Sequence, residues 1–228
     1  DSRGDGQATI TFTAPNSDGG GSIYNYEYSL DGGVTWTAPN PAVTSSPFTI
    51  PGLTNGTQYG VRLRAVNASG PGASSGPAPV TPATVPSAPT YLGDAPRDGA
   101  VEIYFKPPAS NGGAPITNYE YSTDNVTWTA FTPAVTTATS ATVSGLTNDV
   151  GYDMYFRAVN AVGSGQATSM RQQCCPLVPQ APPAAPTNLQ AAPGVNSATI
   201  TFTNATSSAV ITNYQYFLDD TSGWIAFS

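Results

Sequence analysis

Few residues in this sequence have the chemistry that catalysis requires. The chain contains no histidine, which excludes His-based catalytic triads, imidazole metal sites and the commonest general base. The carboxylates are sparse and tend to lie in turn sequences rather than as a facing pair, as at Asp31, Asp124, Asp219 and Asp220. We therefore predict that the chain is not an enzyme and has no catalytic residue, cofactor or metal ion.

Two adjacent cysteines, Cys174 and Cys175, carry the only thiols in the chain. A disulfide within the pair would be strained, because a normal bridge joins Cα atoms that lie further apart than sequence neighbours. Three states remain open: two free thiols, interchain disulfides, and a strained disulfide within the pair. Interchain disulfides would link copies of the chain covalently in a surface assembly.

The tripeptide Arg3, Gly4 and Asp5 matches the sequence that integrins recognise. Asp5 and the glycine after it recur 93 residues later as Asp98 and a glycine, without the preceding Arg-Gly. This recurrence indicates an ordinary tight turn before a strand. We predict a turn at this position and keep cell adhesion through the tripeptide as the weaker alternative.

Four Asn-x-Ser/Thr sequons offer glycosylation sites if the chain follows a secretory route. They begin at Asn55, Asn67, Asn125 and Asn204. Because the chain is rich in threonine, chance matches to this short pattern are expected.

Composition and charge narrow the class of protein. Only 9% of the residues are charged, and 23 Gly and 22 Pro interrupt runs rich in Thr, Ser, Ala and Val, which is typical of an all-β protein. The formal net charge is −7, and the seven Lys and Arg residues form no basic run, so we predict no nucleic acid partner. No stretch approaches the roughly 18 apolar residues of a membrane helix, so we predict no membrane insertion in the chain shown.

The chain is organised as a tandem array. Residues 52–67 return almost intact as residues 145–160, a shift of 93 residues. Apolar and polar positions alternate in both copies at the period of a half-buried strand. The apolar positions are Tyr59, Val61, Leu63 and Ala65 in the first copy and Tyr152, Met154, Phe156 and Ala158 in the second. About 93 residues suit one small β-sandwich.

Further strands are predicted at the start of each repeat. Residues 7–13 place Ile10 and Phe12 together on a buried face. Tyrosines recur on one face of a strand at residues 23–29 and of its counterparts, which we interpret as core packing, with an exposed platform for stacking on sugars as the alternative. These tyrosines are Tyr24, Tyr26, Tyr28, Tyr119, Tyr121, Tyr214 and Tyr216.

The repeat divides the chain into residues 1–82, 83–178 and 179–228. We expect the first unit to lack its proline-led first strand, the second to be complete and the third to hold only its N-terminal half. An isolated half sandwich would expose an aromatic patch around Phe202. We therefore expect either a segment of a longer protein, with its N-terminus and targeting signal outside this sequence, or missing strands supplied by neighbouring chains in a filament.

Four recurrent motifs carry a family resemblance. They are Pro-x-x-Pro-Thr at 86–90 and 183–187 (as Pro-Ala-Ala-Pro-Thr in the latter), Asn-Tyr-Glu-Tyr at 25–28 and 118–121, Leu-Thr-Asn-x-x-x-Tyr at 53–59 and 146–152, and Arg-Ala-Val-Asn-x-x-Gly at 64–70 and 157–163. Together they resemble fibronectin type III repeats of the kind found in bacterial secreted and surface proteins and in structural proteins of large DNA viruses. The resemblance covers essentially all of the chain. It implies an all-β fold of tandem immunoglobulin-like (fibronectin type III) β-sandwiches, the first and third incomplete.

The resemblance also implies particular contacts. Tyr59 and Tyr152 would lie at the corner where a tyrosine hydroxyl binds the backbone. Two carboxylate–guanidinium pairs would face each other across neighbouring strands. These pairs are Glu27 with Arg64 and Glu120 with Arg157. The sequence departs from the family where a buried tryptophan is usual, since it has Phe12, Phe105 and Phe202 there.

From these patterns we predict a non-enzymatic structural or adhesive surface protein, an elongated array that acts as a spacer or multivalent fibre on a virion or cell envelope. The alternative is a non-catalytic spacer in a secreted carbohydrate-active enzyme. The expected partners are other copies of the chain, other surface or capsid proteins, or a cell-surface protein or glycan. The expected location is extracellular, at a cell surface or a virion surface.

Overall fold

The computed structural model describes residues 2–170, 176–207, 210–216 and 224–226. Every regular element in this part of the chain is a β-strand. A search of the same residues finds no helix with the length and apolar character needed to cross a membrane. We refer to the sequence repeats at residues 1–82, 83–178 and 179–228 as repeats 1, 2 and 3.

Repeat 1 forms two antiparallel sheets. Its strands are β1 (Ser2–Gly4), β2 (Gln7–Ile10), β3 (Asn25–Ser29), β4 (Phe48–Pro51), β5 (Tyr59–Asn67), β6 (Gly70–Pro71) and β7 (Ala78–Val80). One sheet has the order β1-β2-β4, and in the other β5 pairs with β3, β6 and β7. Strand β1 was not predicted, because its three residues show no apolar alternation.

Repeat 2 repeats this arrangement, with longer counterparts of the first four strands. Its strands are β8 (Thr90–Arg97), β9 (Ala100–Lys106), β10 (Ile116–Ser122), β11 (Thr129–Ala130), β12 (Ser140–Ser144), β13 (Tyr155–Asn160) and β14 (Thr168–Ser169). The sheets have the orders β12-β9-β8 and β11-β10-β13-β14. The proline-bearing strand β8 lies at a sheet edge. Proline has no N–H to donate, and at an edge this costs no hydrogen bond between strands.

Repeat 3 forms two hairpins in its described residues. They pair β15 (Thr187–Gly194) with β16 (Ser197–Thr203), and β17 (Gln215–Tyr216) with β18 (Ile225–Ala226). The aromatic patch expected to be exposed is partly covered, since the rings of Phe202 and Tyr214 lie 4.7 Å apart and both are half-buried.

Each of the first two repeats has its own apolar core between its sheets. In repeat 2, Phe105, Tyr119 and Phe156 are almost fully buried and their rings contact one another. In repeat 1, Ile10 and Ile50 lie in the buried core together with Val61 and Leu63. Burial of such side chains contributes about 1.5–3 kcal/mol each. The chain therefore folds as tandem immunoglobulin-like β-sandwiches, as predicted, with seven described strands in each of repeats 1 and 2 and four in repeat 3.

Two details of the predicted strands were wrong. Strand β2 ends at Ile10, and Phe12 is only half-buried, because β1 is too short to pair with the residues after Ile10. Tyr24 precedes β3 and is 55% exposed. The core interpretation holds for Tyr26 and Tyr28 in repeat 1 and for Tyr119 and Tyr121 in repeat 2, which are buried in or pack against the apolar core of their repeat. Tyr214 and Tyr216 of repeat 3 are half-buried.

Candidate functional site

Within the described residues, the side chains offer no metal centre, since no group of three or more His, Cys, Asp or Glu could hold an ion there. The carboxylates of the hairpin turns are bound to the chain itself. The Asp31 carboxylate accepts hydrogen bonds from the Thr35 hydroxyl at 2.6 Å, the Thr35 amide at 2.9 Å and the Ser29 hydroxyl at 2.7 Å. These donors hold the pKa of Asp31 well below its usual range.

Asp124 has the same role in repeat 2. The backbone amides of Val126 and Thr127 and the hydroxyl of Ser122 donate to its carboxylate, and they hold the pKa of Asp124 well below its usual range. Both carboxylates therefore stabilise turns as anions. Asp219 and Asp220 lie outside the described residues.

The Arg3-Gly4-Asp5 tripeptide leads from β1 into the predicted turn, which is formed by Asp5 and Gly6. Gly4 ends β1, and the Asp5 carboxylate accepts a 2.8 Å hydrogen bond from the Asn55 side-chain amide. Repeat 2 has the same contact, at 2.7 Å, between Asn148 and Asp98, without an Arg-Gly before it. Asp5 is thus accounted for by the turn, and adhesion through the tripeptide stays a prediction.

The four sequon asparagines lie in two kinds of environment. The side-chain amides of Asn55 and Asn67 donate within turns, Asn55 to Asp5 and Asn67 to the carbonyl of Asp18. Asn125 and Asn204 are exposed. Glycosylation stays a prediction, and the exposed pair offers the more accessible nitrogen atoms. Cys174 and Cys175, the predicted candidates for interchain disulfides, lie outside the described residues.

A cluster of one Trp, one Arg and one Glu forms on the outer face of each of the first two sandwiches, and we call it the Trp–Arg–Glu cluster. In repeat 1, Glu27 and Arg64 are cross-strand partners on β3 and β5, and their side chains form a 2.6 Å ion pair. The Arg64 guanidinium also lies 4.2 Å from the centre of the Trp36 ring. The implied ion pair is confirmed, and the stacked tryptophan was missed.

Repeat 2 contains the same cluster, with a 2.8 Å pair between Arg157 and Glu120 and with Arg157 3.9 Å from the Trp128 ring centre. Because a guanidinium covers one face of each ring, these tryptophans are poor platforms for stacking on sugars. The cluster joins the hairpin turn to the neighbouring strands. The sequence signal of the cluster is a Val-Thr-Trp run shortly after an aspartate, at residues 31–36 and 124–128.

A further site lies at the junction between repeats 1 and 2. The segment that connects them is buried, since Pro82, Ala83 and Pro86 are each less than 2% exposed. The Gly56 amide donates to the Pro82 carbonyl at 2.9 Å, and the Thr84 amide donates to the Gly112 carbonyl at 2.8 Å. The connection is therefore held by both repeats.

Asn160 adds a side-chain contact from repeat 2 to the same segment. Its amide nitrogen donates at 2.8 Å to the carbonyls of Thr84 and Asn111. Asn160 is itself 4% exposed. A buried amide with both acceptors in place fixes the segment against the loop of repeat 2.

Two glycines allow this close approach. A Cβ atom on Gly113 would lie 2.3 Å from the Gly56 amide nitrogen, and one on Gly112 would lie 2.1 Å from the Thr84 carbonyl oxygen. Both glycines have positive φ, of 86° and 74°. Any side chain would push the two repeats apart. Asn-Gly-Gly is a turn signal in a sequence and gives no sign of a contact with another repeat.

The same backbone hydrogen bonds to a connecting segment recur at the other end of repeat 2. The Asp149 amide donates to the Pro179 carbonyl at 2.9 Å, in the positions that match Gly56 and Pro82. The Gln180 amide donates to the Arg97 carbonyl at 3.1 Å. Repeat 2 therefore holds the segment leading to repeat 3 as repeat 1 holds the segment leading to repeat 2.

Comparisons with known proteins agree with this architecture. Residues 1–81 match the family model of the fibronectin type III domain. The chain is 30% identical over 155 residues to "M-protein, striated muscle" of Gallus gallus, and 33% identical over 168 residues to neogenin of Rattus norvegicus. These matches cover 63% and 70% of this chain but only 11% and 12% of the two relatives, so the chain spans about a tenth of their length.

A third relative comes from an archaeon, and one solved structure aligns along the whole chain. A kelch domain-containing protein of Saccharolobus solfataricus is 30% identical over 117 residues, 51% of this chain and 16% of that protein. The crystal structure of chicken CNTN1 FN1-FN3 domains aligns with a TM-score of 0.41 and 15% identity, and the alignment covers 100% of this chain and 82% of that one. The fibronectin type III domain is thus detected in residues 1–81, and the relatives do not single out bacteria or viruses.

Proposed function

We propose that this chain is a non-enzymatic structural array in which fibronectin type III-like sandwiches are held at a fixed spacing. One observation carries the proposal: the connecting segment between repeats 1 and 2 is buried and hydrogen-bonded to both. Flexible tethers have solvated backbones and few contacts. A segment with the opposite properties transmits orientation and force from one sandwich to the next.

The recurrence of this hydrogen bonding at the next connecting segment supports an array of sandwiches rather than a single pair of them. The contact between Asp149 and Pro179 matches that between Gly56 and Pro82. Repeat proteins of this kind gain stability from nearest-neighbour interfaces that add along the chain. The chain would act as a spacer, and each further repeat would lengthen the array by one sandwich.

The proposal also covers the location of the protein and the molecules that it contacts. We assign the array to the outside of a cell or virion, where it would contact other copies of itself or other surface or capsid proteins, or a cell-surface protein or glycan. The support is the low content of charged residues, 9%, and the resemblance of its repeats to fibronectin type III domains. Multivalent contacts from identical repeats would give avidity from individually weak sites.

Amide hydrogen exchange at the junction tests the spacer role. We expect the Gly56 and Thr84 amides to be protected, and Gly113→Ala to accelerate their exchange roughly ten- to hundredfold, since overpacking costs about 1–3 kcal/mol. Gly20→Ala is the matched control. Gly20 occupies the equivalent position in repeat 1 with the same φ of 86°, and a Cβ there meets nothing within 4 Å.

The control separates backbone strain from the junction itself, because both variants place alanine in the left-handed region. Equal acceleration at Gly56 and Thr84 in the two variants would contradict a packed junction. So would amides that exchange in the unmodified chain as fast as those of an exposed loop.

A further inference from the structure

Two asparagines in this chain are followed directly by glycine, and both lie at the junction. They are Asn55 with Gly56 in repeat 1 and Asn111 with Gly112 in repeat 2. The two pairs face each other, since a Cβ on Gly113 would lie 2.9 Å from the Asn55 Cβ. Asparagine is a thermolabile residue. It is most reactive before glycine, because glycine has no side chain to shield its amide nitrogen from the neighbouring side-chain carbonyl.

The reaction at such a pair is the loss of ammonia from the asparagine. The amide nitrogen of the glycine bonds to the side-chain carbon Cγ, and the side-chain nitrogen leaves as ammonia together with the proton of the attacking amide. Water then opens the cyclic succinimide. Opening at Cγ gives aspartate, and opening at the main-chain carbonyl carbon gives isoaspartate, in which the chain continues through Cβ and Cγ. One ammonia is lost and one water is gained, so the reaction requires no oxidant or reductant.

The side chain of Asn55 is held by contacts that are distant in sequence. Its oxygen accepts a hydrogen bond from the Gly6 amide at 2.9 Å, and its nitrogen donates to the Asp5 carboxylate at 2.8 Å. The Gly56 amide nitrogen, which would attack, donates to the Pro82 carbonyl at 2.9 Å. The side chain must leave both of its partners in another loop before it can react, so the fold protects Asn55.

The side chain of Asn111 is exposed and is held only within its own turn. Its oxygen accepts from the Gly113 amide at 2.9 Å, and its nitrogen, the leaving group, has no hydrogen bond in the described part of the chain. The Gly113 amide would also stabilise the negative charge that this oxygen gains during attack. The Gly112 amide donates to the Ser110 hydroxyl at 3.1 Å, and Gly112 is buried. Reaction at Asn111 therefore requires local opening of one turn.

We propose that Asn111 is a site of spontaneous deamidation and that its conversion to isoaspartate releases the junction. The carbonyls of Asn111 and Gly112 accept 2.8 Å hydrogen bonds from the Asn160 side chain and the Thr84 amide. Isoaspartate lengthens the main chain by one carbon at this point and turns the Asn111 carbonyl into a free carboxylate, so the two acceptors cannot both stay in place. The inference describes how the proposed array would lose its fixed spacing, and it rests on that proposal to this extent.

Peptide mapping of residues 1–228, aged at neutral pH with both cysteines replaced by serine, tests the site. We expect deamidation at Asn111 to be about tenfold or more faster than at Asn55, because the Asn55 side chain must first leave two hydrogen-bond partners in another loop. The control is the same chain aged in urea, where the two Asn-Gly pairs should react at similar rates. Equal rates in the folded chain, faster reaction at Asn55, or reaction at both sites in urea and at neither in the folded chain would overturn the proposal.

Amide hydrogen exchange tests the release of the junction. In the chain that carries isoaspartate at position 111, the Thr84 amide should exchange about tenfold or more faster than in the unmodified chain, since its acceptor is displaced. Asn111→Asp is the matched control, because it adds the same negative charge without lengthening the main chain, and it should keep the Thr84 amide protected. Equal exchange in the isoaspartate chain and in Asn111→Asp would contradict the release.

The array and this inference fail in distinguishable ways. The comparison of Asn111 with Asn55 depends on side-chain contacts that each asparagine makes within its own repeat. Equal deamidation rates in a chain whose Thr84 amide is protected would overturn this inference alone. A Thr84 amide that is unprotected in the unmodified chain would overturn the array and, with it, the release of the junction.

Discussion

At the scale of single residues, polar side chains in this protein serve the backbone. Asp31 and Asp124 bind the amides and hydroxyls of their own turns. Asn55 and Asn148 bind the turns that precede the second strand of each sandwich. Each of these contacts recurs in repeats 1 and 2, so the repeated polar residues are explained by turn geometry rather than by a catalytic site.

Asp31→Asn should remove a pH-dependent part of the stability. Because the folded-state pKa of Asp31 is lowered, its contribution is fully present above the unfolded value of about 3.9 and is lost as the pH falls through the folded-state value. The difference in melting temperature between parent and variant should therefore be constant near neutral pH and shrink below about pH 4. Calorimetry from pH 7 to pH 2 measures it.

Asp124→Asn repeats the test in the second sandwich and should behave in the same way, since the same kinds of donor surround its carboxylate. A difference in melting temperature between parent and variant that does not change with pH would show that the negative charge of these aspartates adds no stability.

At the scale of strands and turns, the alternating pattern predicts elements well where both faces of a strand have partners. Strand β5 (Tyr59–Asn67) follows it. The pattern fails at Phe12, because β1 is too short to pair with the residues after Ile10, and at Tyr24, which precedes its strand. Periodicity describes a residue's own strand and carries no information about the presence of its neighbour.

The candidate sites were predictable to different degrees. The pairing of Glu27 with Arg64 followed from the family resemblance. The stacking of Trp36 on Arg64 did not, because the two residues meet only once the hairpin turn folds onto the neighbouring strand. The contact of Gly113 with Gly56 was also missed, since a glycine pair indicates a turn in the sequence and says nothing of what approaches it.

The tyrosine corner should stabilise the turn before β5 in repeat 1 and before β13 in repeat 2. The Thr147 amide donates to the Tyr152 hydroxyl at 3.0 Å, and Thr54 and Tyr59 make the same contact in repeat 1. Tyr152→Phe removes the acceptor and should destabilise the protein by about 1 kcal/mol in denaturant unfolding. Tyr104→Phe, at a 38% exposed tyrosine of β9, is the control. Equal effects of the two substitutions would show that the corner bond adds nothing.

At the scale of the whole molecule, the account rests on the junction. The two sandwiches have separate cores, so they would move independently if the connecting segment were a tether. The buried prolines, the hydrogen bonds from both repeats and the close approach of Gly113 to Gly56 oppose such motion. The matching hydrogen bond from the Asp149 amide to the Pro179 carbonyl continues the arrangement toward repeat 3.

The most direct test is the distance between repeats 1 and 2 in solution. Val34 and Val126 lie in matching turns and are 82% and 79% exposed, so Val34→Cys and Val126→Cys can carry spin labels once Cys174 and Cys175 are replaced by serine. Double electron–electron resonance should give a single narrow distance distribution if the junction holds the two sandwiches in one orientation. A broad distribution, typical of two domains on a flexible tether, would contradict the account.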